Sequence, residues 1–208
     1  MKIVSVIPAR GGSKEIPRKN LVKINGHPLI SYTIKASLKS NVNETWVSSD
    51  DNEILDVASS YGAHVLKRPA EYATDTAASE EALLHFADNV DFDILVFMQA
   101  TSPLTSAEDI NKGIELMSVY DSVISVSELT QFVWSGSTPS YDLDNRKRRQ
   151  DNQKTYLETG AFFITSRNAL LKSKNRISGN IGFTKVPKLH SFDIDTYDDL
   201  EVVKRLMS

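Results

Sequence analysis

Short β-branched runs alternate with segments of helical spacing along most of the chain, and this alternation restricts the fold more than any other feature of the sequence. "KIVSVI" at 2–7 is almost continuously apolar, which suits a strand covered on both faces, and "DILVFMQA" at 93–100 is the most apolar strand of all. "TWVSSD" at 45–50, "AHVLKR" at 63–68, "DSVISVSEL" at 121–129 and "GAFFIT" at 160–165 read as further strands, followed by one near "GFTKVP" and by "FDIDT" at 192–196. Between them, Pro28 at a first helical position leads Ile30, Ile34 and Leu38, spaced four apart on one face. Asp50 with Glu53 predicts a capping box for a helix that Gly62 closes, and Ala82, Leu83, Phe86 and Ala87 carry the spacing of the next helix. Ser106 with Asp109 starts a helix through Met117, Ser166 caps a short one, and Thr196 with Asp199 begins the last. Strands alternating with helices imply an α/β fold: a mainly parallel sheet flanked by helices on both faces, joined by right-handed crossovers.

A chain of 208 residues with 40% apolar content has the size of one domain covering 1–208. From Thr130 to about Tyr156 the pattern becomes polar and aromatic, with "NRKRRQDNQK" at 145–154 and no clear period. This insertion, at about 130–157, is too long for an ordinary connection and reads as functional, partner-bound or mobile. The net charge of −3 argues against a nucleic-acid partner, and the longest pure apolar run, "ILVFM", is too short for a membrane span. A soluble cytoplasmic protein is the expectation. The absence of cysteine excludes disulfides, thiolate metal sites and cysteine nucleophiles.

In α/β folds of this kind ligands sit beyond the carboxyl ends of the strands, where the loop "ARGGSKEIPRKN" at 9–20 follows the first strand. Gly11 and Gly12 let backbone approach a polyphosphate, while Arg10, Lys14, Arg18 and Lys19 bring positive charge. Neither a P-loop nor a G-x-G-x-x-G pattern fits, so a phosphate grip and a solvated basic turn both stay open. Asp193 and Asp195, one residue apart, project to the same side of a strand and suit a shared Mg²⁺, although Asp195 and Thr196 also read as the cap of the last helix. Gln99, Thr101 and Ser102 follow the most apolar strand, either as ligand contacts or as a plain turn at Ser102-Pro103. Arg68, with the hydroxyl-rich loop after it, reads either as a base or ribose contact or as capping through Thr76. "RKRRQD" at 146–151 reads as nucleic-acid contact, an anion clamp through Arg148 or Arg149, or a solvated face, and overall acidity disfavours the first. The four histidines form no visible triad or zinc set, and His190, nearest the carboxylate pair, stays open.

Taken together, "IPARGGSKEIPRKNL", "RPAEYATDTAAS", "QATSPL", "RRQD", "ETGAFFIT" and "FDIDT" resemble, in order and spacing, the acylneuraminate cytidylyltransferases. The resemblance covers nearly the whole chain. It implies a Rossmann-like nucleotidyltransferase with an inserted dimerisation segment, a homodimer whose partners are CTP and an acidic sugar, and Mg²⁺ as cofactor. The implied reaction is attack of the anomeric hydroxyl of a nine-carbon 2-keto acid on the α-phosphate of CTP, with loss of diphosphate. By resemblance Arg10 with the Gly11, Gly12 and Ser13 backbone holds the triphosphate, Lys19 neutralises charge toward the leaving group, and Asn20, Arg68 and Ser79 contact the nucleotide. Gln99, Thr101 and Ser102 match the sugar side, Arg149 and Gln150 the segment that meets the acidic sugar, and Asp193 and Asp195 the metal ligands. Arg10, Lys19, Asp193 and Asp195 are thus the expected catalytic set. Relatives acting on legionaminate, pseudaminate or 3-deoxy-manno-octulosonate share the motifs, and a nucleotide-binding regulator without turnover is a reading from another class. Glu15 stands where the family has glycine, Thr159 where it has asparagine and Lys147 where proline is common. The first places an anion beside the phosphate loop, and the second bears on contacts to the sugar.

Overall fold

The computed structural model describes residues 1–151 and 154–208, with the side chain of Arg149 outside the description. In chain order the elements are β1 (Ile3–Pro8), β2 (Lys23–Ile24), β3 (His27–Pro28), α1 (Leu29–Leu38), β4 (Glu44–Ser49), α2 (Asn52–Ser60) and β5 (His64–Lys67). They continue with α3 (Ser79–Asn89), β6 (Ile94–Met98), α4 (Ala107–Leu116), β7 (Ser122–Leu129), β8 (Trp134–Ser135) and β9 (Thr138–Pro139). The last are β10 (Thr155–Ser166), α5 (Arg167–Ser173), β11 (Ile181–Lys185) and α6 (Tyr197–Leu206).

Seven strands form the central sheet in the order β11-β7-β10-β6-β1-β4-β5. The two most apolar runs, β1 and β6, pair in parallel at its middle, because only central strands bury both faces. β10 alone runs antiparallel, between β6 and β7. Ile7, Val47 and Phe162 pack under α1, α2 and α4 on one face; Val6, Phe97 and Phe163 pack under α3 and α5 on the other. Each such side chain, fully buried, contributes about 1.5–3 kcal/mol. A third apolar cluster joins Ile16 and Ile24 to Ile194, Leu200 and Val203, so the loop after β1 and the segment leading into α6 share one anchor. No helix among the described residues is long and apolar enough to cross a membrane.

The expected mainly parallel sheet with helices on both faces is observed, with local corrections. "FDIDT" is extended but joins no strand: its Ile194 N–H donates to the Thr101 carbonyl at 2.9 Å, and the Asp195 and Thr196 amides donate to Asp199 Oδ2 at 3.1 and 2.8 Å. Asp51, not Asp50, caps α2, accepting from the amides of Glu53 and Ile54, and this releases Asp50 for the loop after β1. Pro28 is the N-cap of α1 and not its first residue, and Leu38 is 47% exposed because α1 ends there. The insertion holds the β8–β9 hairpin, a 3-10 turn at Arg149–Asp151 and the start of β10, which begins at Thr155 and not Gly160. Within β10 the pairing with β7 shifts register between Glu158 and Phe163, and Gly160 (φ 72°) makes that bulge possible.

Candidate functional site

A cleft of about 470 Å³ opens where β1 and β6 end, lined by Arg10, Lys19, Asn20, Arg68, Gln99 and Asp195 among others. Its floor is the loop after β1. The Gly11 amide donates to Asp50 Oδ1 at 3.0 Å, and a Cβ on Gly11 would meet Asp51 Oδ2 at 2.6 Å, so only glycine fits between the two acids. Gly12, by contrast, faces open space, and Ser13 lines the cleft. Asn20 is buried and donates through Nδ2 to the Arg10 carbonyl at 3.1 Å, so it braces the loop from within. Arg18 adopts a left-handed backbone (φ 54°) and turns away to Asp51 and Glu53 at 3.2 and 2.8 Å. Its charge therefore serves the start of α2, contrary to its expected place among the phosphate cations.

The remaining cations face inward. Arg10 Nη1 pairs with Asp75 Oδ1 at 2.7 Å and Lys14 Nζ with Asp75 Oδ2 at 3.0 Å. The hydrogen bond from Lys14, with smaller help from Arg10, holds the Asp75 carboxyl below its ordinary range. Arg68, immediately after β5, is 5% exposed, and its Nε is buried without a hydrogen-bond partner among the described residues. Burial lowers its pKa, with Asp50 opposing and Arg10 adding to the fall. A buried guanidinium with an unmet donor on a cleft wall is suited to a polar, anionic ligand. Ser79, the exposed first residue of α3, lies on the same wall. Thr76 does not cap that helix: Ala78 occupies the cap position and Thr74 Oγ1 accepts from the Ala77 amide at 3.0 Å.

Opposite stand the two carboxylates. Ile194 is buried in the third cluster, which leaves Asp193 and Asp195 on the other side of the extended segment. Ser102 Oγ donates to Asp193 Oδ1 at 3.1 Å, and Lys19 Nζ donates to the Ile194 carbonyl at 2.8 Å and to Asp195 Oδ1 at 3.0 Å. Burial pushes the Asp193 carboxyl up, and the neighbouring charge of Asp195 adds to the rise against the hydrogen bonds from Thr101 and Ser102. Two hard oxygen donors on one side of the segment, with the charge of Asp195 raising Asp193, fit Mg²⁺. No group of three or more His, Cys, Asp or Glu side chains suited to a metal occurs among the described residues, so an ion held by this pair would need phosphate or water to complete its shell.

Gln99 ends at the cleft with Thr101 Oγ1 3.4 Å from its Oε1, and a Cβ on Gly160 would stand 3.2 Å from its Nε2. Ser102 is buried and spent on Asp193, so of the three expected sugar-side residues it serves the acidic pair. Thr159 is also buried, its Oγ1 2.7 Å from Ser125 Oγ, and faces the sheet interior and not the cleft. Gln150 lies apart, in a second cleft of about 570 Å³ with Glu128, Lys147 and Lys154, while the Arg149 side chain lies outside the described residues. The structure thus joins Arg10, Lys19, Asn20, Arg68, Gln99 and Asp195 but leaves Gln150 out. The sequence does not mark Asp50 and Asp75 as site residues: the spacing of Asp50 to Glu53 predicts a helix cap, and Asp75 lies in the hydroxyl-rich loop after Arg68. Glu15 is exposed on the cleft rim and forms no ion pair among the described residues.

The chain is 33% identical over 213 residues to N-acylneuraminate cytidylyltransferase B of Danio rerio, covering 97% of this chain and 50% of that protein. It spans about half the length of the first curated relatives it matches. It is 34% identical over 234 residues to the pseudaminic acid cytidylyltransferase of Campylobacter jejuni serotype O:23/36, covering 99% and 96%. In structure it resembles a CMP:2-keto-3-deoxy-manno-octonic acid synthetase complexed with CTP, with a TM-score of 0.78 at 20% identity over 100% of this chain and 98% of that one. A family profile described as "Cytidylyltransferase" matches residues 4–207, and on that span the chain belongs to the cytidylyltransferase family.

Proposed function

We propose that the protein transfers CMP from CTP to a sialic-acid-type sugar, giving CMP-N-acylneuraminate and diphosphate. The observation that carries this is the meeting, in one cleft, of Arg10, Lys19 and the buried Arg68 with Asp195, whose near neighbour Asp193 stands on the same side of the extended segment and is held by Ser102. The anomeric hydroxyl oxygen bonds to the α-phosphorus as the bond from that phosphorus to the bridging oxygen breaks, and the oxygen leaves with diphosphate. Such transfer needs in-line placement and stabilised phosphate charge, and no covalent nucleophile. Arg10 and the Gly11–Ser13 backbone hold the phosphates, and Lys19 follows the charge toward the leaving group. Asn20 keeps the loop in shape, and Arg68 and Ser79 take the nucleoside. Gln99 and Thr101 face the sugar. Asp193 and Asp195 would hold Mg²⁺, which when bound supplies positive charge against the phosphate oxygens. One of the two carboxylates also receives the hydroxyl proton.

Pseudaminate is the second reading, because the relative acting on it matches along 96% of its own length. We further propose a cytoplasmic homodimer formed through the insertion at about 130–157, where Val133 and Trp134 are 40% and 50% exposed and Gln150 lines a cleft other than the nucleotide cleft of its own chain. Arg149 and Gln150 then belong to the acidic-sugar contact of the assembled site. The deciding experiment is diphosphate release with CTP, Mg²⁺ and a panel of nonulosonic and octulosonic acids, repeated with the other nucleoside triphosphates. Release with CTP and one nine-carbon acid supports the reading. CTP binding without release across the panel would leave a nucleotide-binding regulator.

A further inference from the structure

The segment carrying Asp193 and Asp195 has no strand to hold it, and it is tied to the region after β6 at separate points. Two lie at its acidic end: Ser102 Oγ to Asp193, and the Ile194 amide to the Thr101 carbonyl. The third is upstream. His190, in the 3-10 turn Lys188–Ser191, sets Nδ1 2.5 Å from Asp109 Oδ2. Asp109 is 2% exposed, in the first turn of α4, and the same oxygen accepts from the Ser106 amide at 3.1 Å and the Ser106 hydroxyl at 2.7 Å.

These contacts have different purposes. The capping box secures both Asp109 and α4 without His190, so helix α4 does not require the histidine. Carboxylate oxygens accept, which places the hydrogen of the pair on Nδ1. His190 thereby docks a turn with no buried residues of its own onto a fixed, buried point. From there the chain reaches Asp193 in three residues, a span of roughly 10 Å even when fully extended. Freedom at His190 is therefore passed to the carboxylate with little chain to absorb it. Mg²⁺ requires near-ideal octahedral ligands, so its binding is sensitive to such freedom.

We propose that His190 is a positioning residue for the cation site: its hydrogen bond to Asp109 sets where the Asp193–Asp195 segment starts, and so holds both carboxylates in register with the ion and the phosphates. This rests on the reading of Asp193 and Asp195 as cation ligands. His190 touches neither the ion nor the substrate, and it acts through the backbone between residues 190 and 193.

The test is Mn²⁺ binding in the presence of CTP, followed by the paramagnetic signal of the free ion, together with amide hydrogen exchange over residues 191–195 in metal-free protein. His190→Ala is expected to weaken Mn²⁺ binding about tenfold, the scale of lost outer-shell partners, and to speed exchange at Ile194. His190→Asn, whose side-chain amide can donate from nearly the Nδ1 position, is expected to recover most of both. Unchanged Mn²⁺ binding in His190→Ala overturns the inference while leaving the cation reading intact. Equal losses in both variants, accompanied by a matching fall in Tm, overturn it in favour of a general stabilising role. No Mn²⁺ binding by the wild-type protein with CTP removes the cation reading and the inference with it.

Discussion

Arg10 Nη1 lies 2.7 Å from Asp75 Oδ1, with Lys14 Nζ 3.0 Å from the other oxygen of the same carboxylate. Asp75 thus pairs with Arg10, which is proposed to hold the triphosphate, and with the neighbouring Lys14. A carboxylate and a phosphate present similar oxygen pairs to an arginine fork, so on the proposed function nucleotide entry would exchange one anion for another. Asp75→Asn is expected to tighten CTP binding about three- to fivefold, in keeping with the small worth of an exposed ion pair, as measured by calorimetric titration. Weaker binding in that variant would show that Asp75 guides the loop toward the nucleotide and does not compete with it.

The acidic pair gives a sharper expectation. Asp193→Asn and Asp195→Asn should each cut Mg²⁺-dependent diphosphate release by at least about a hundredfold, the upper range for lost electrostatic stabilisation of a transition state being higher still. Circular dichroism should be unchanged, because the side-chain carbonyl that replaces the Asp193 carboxylate still accepts from Ser102, and Ile194 keeps its place in the third apolar cluster. Turnover near wild type in both variants would reject the metal role.

Asp193 also sets a pH dependence in the metal-free protein. Its folded pKa is raised, chiefly by burial, so the native state holds a proton over a range where the unfolded chain has lost it. Stability from this group is present below the unfolded value, about 3.9, and is lost as pH rises through the folded value. Wild type should therefore lose Tm relative to Asp193→Asn as pH climbs above about 4, and Mg²⁺ with CTP should narrow that gap. A Tm difference that is flat with pH would mean that the carboxylate is not destabilised by its surroundings.

The sheet was readable in the sequence because β1 and β6 are apolar on both faces and the helices between strands carry clear caps; the capping boxes at Ser106 and Thr196 stand where spacing put them. Asp50 and Asp51 show the limit. Both precede α2, and nothing in the residue order says which one caps the helix and which takes the Gly11 amide 39 positions away. Likewise Thr159 could be noticed as a departure, but its bond to Ser125 depends on the register shift between β7 and β10, which local sequence does not encode. The cleft was legible as motifs. Its internal pairing, as with Arg18 turning to α2, was not.

Gly11→Ala tests that pairing directly. The added methyl would lie 2.6 Å from Asp51 Oδ2, so either the loop lifts off Asp50 or Asp51 gives up the cap of α2. Overpacking and a lost cap each cost about 1–2 kcal/mol, and a destabilisation in that range is expected from urea unfolding, together with a raised KM for CTP. Gly12→Ala, with nothing within 4 Å of the new carbon, should leave stability nearly unchanged and so serves as the control.

Arg68 separates function from folding most cleanly. It is 5% exposed, its Nε has no partner among the described residues, and its charge is opposed by Arg10 and relieved by Asp50 only in part. A buried, incompletely paired cation is a cost to the fold, and an apolar side chain of similar length removes that cost. Arg68→Met should therefore keep or raise Tm while weakening CTP binding by at least about tenfold, the loss expected for one charge-assisted hydrogen bond. Opposite movements of these two quantities are the signature of a residue retained for its ligand. If Tm and CTP affinity fall together, Arg68 is holding the cleft walls, and the nucleotide contact has to be sought at Ser79 and along the loop after β5.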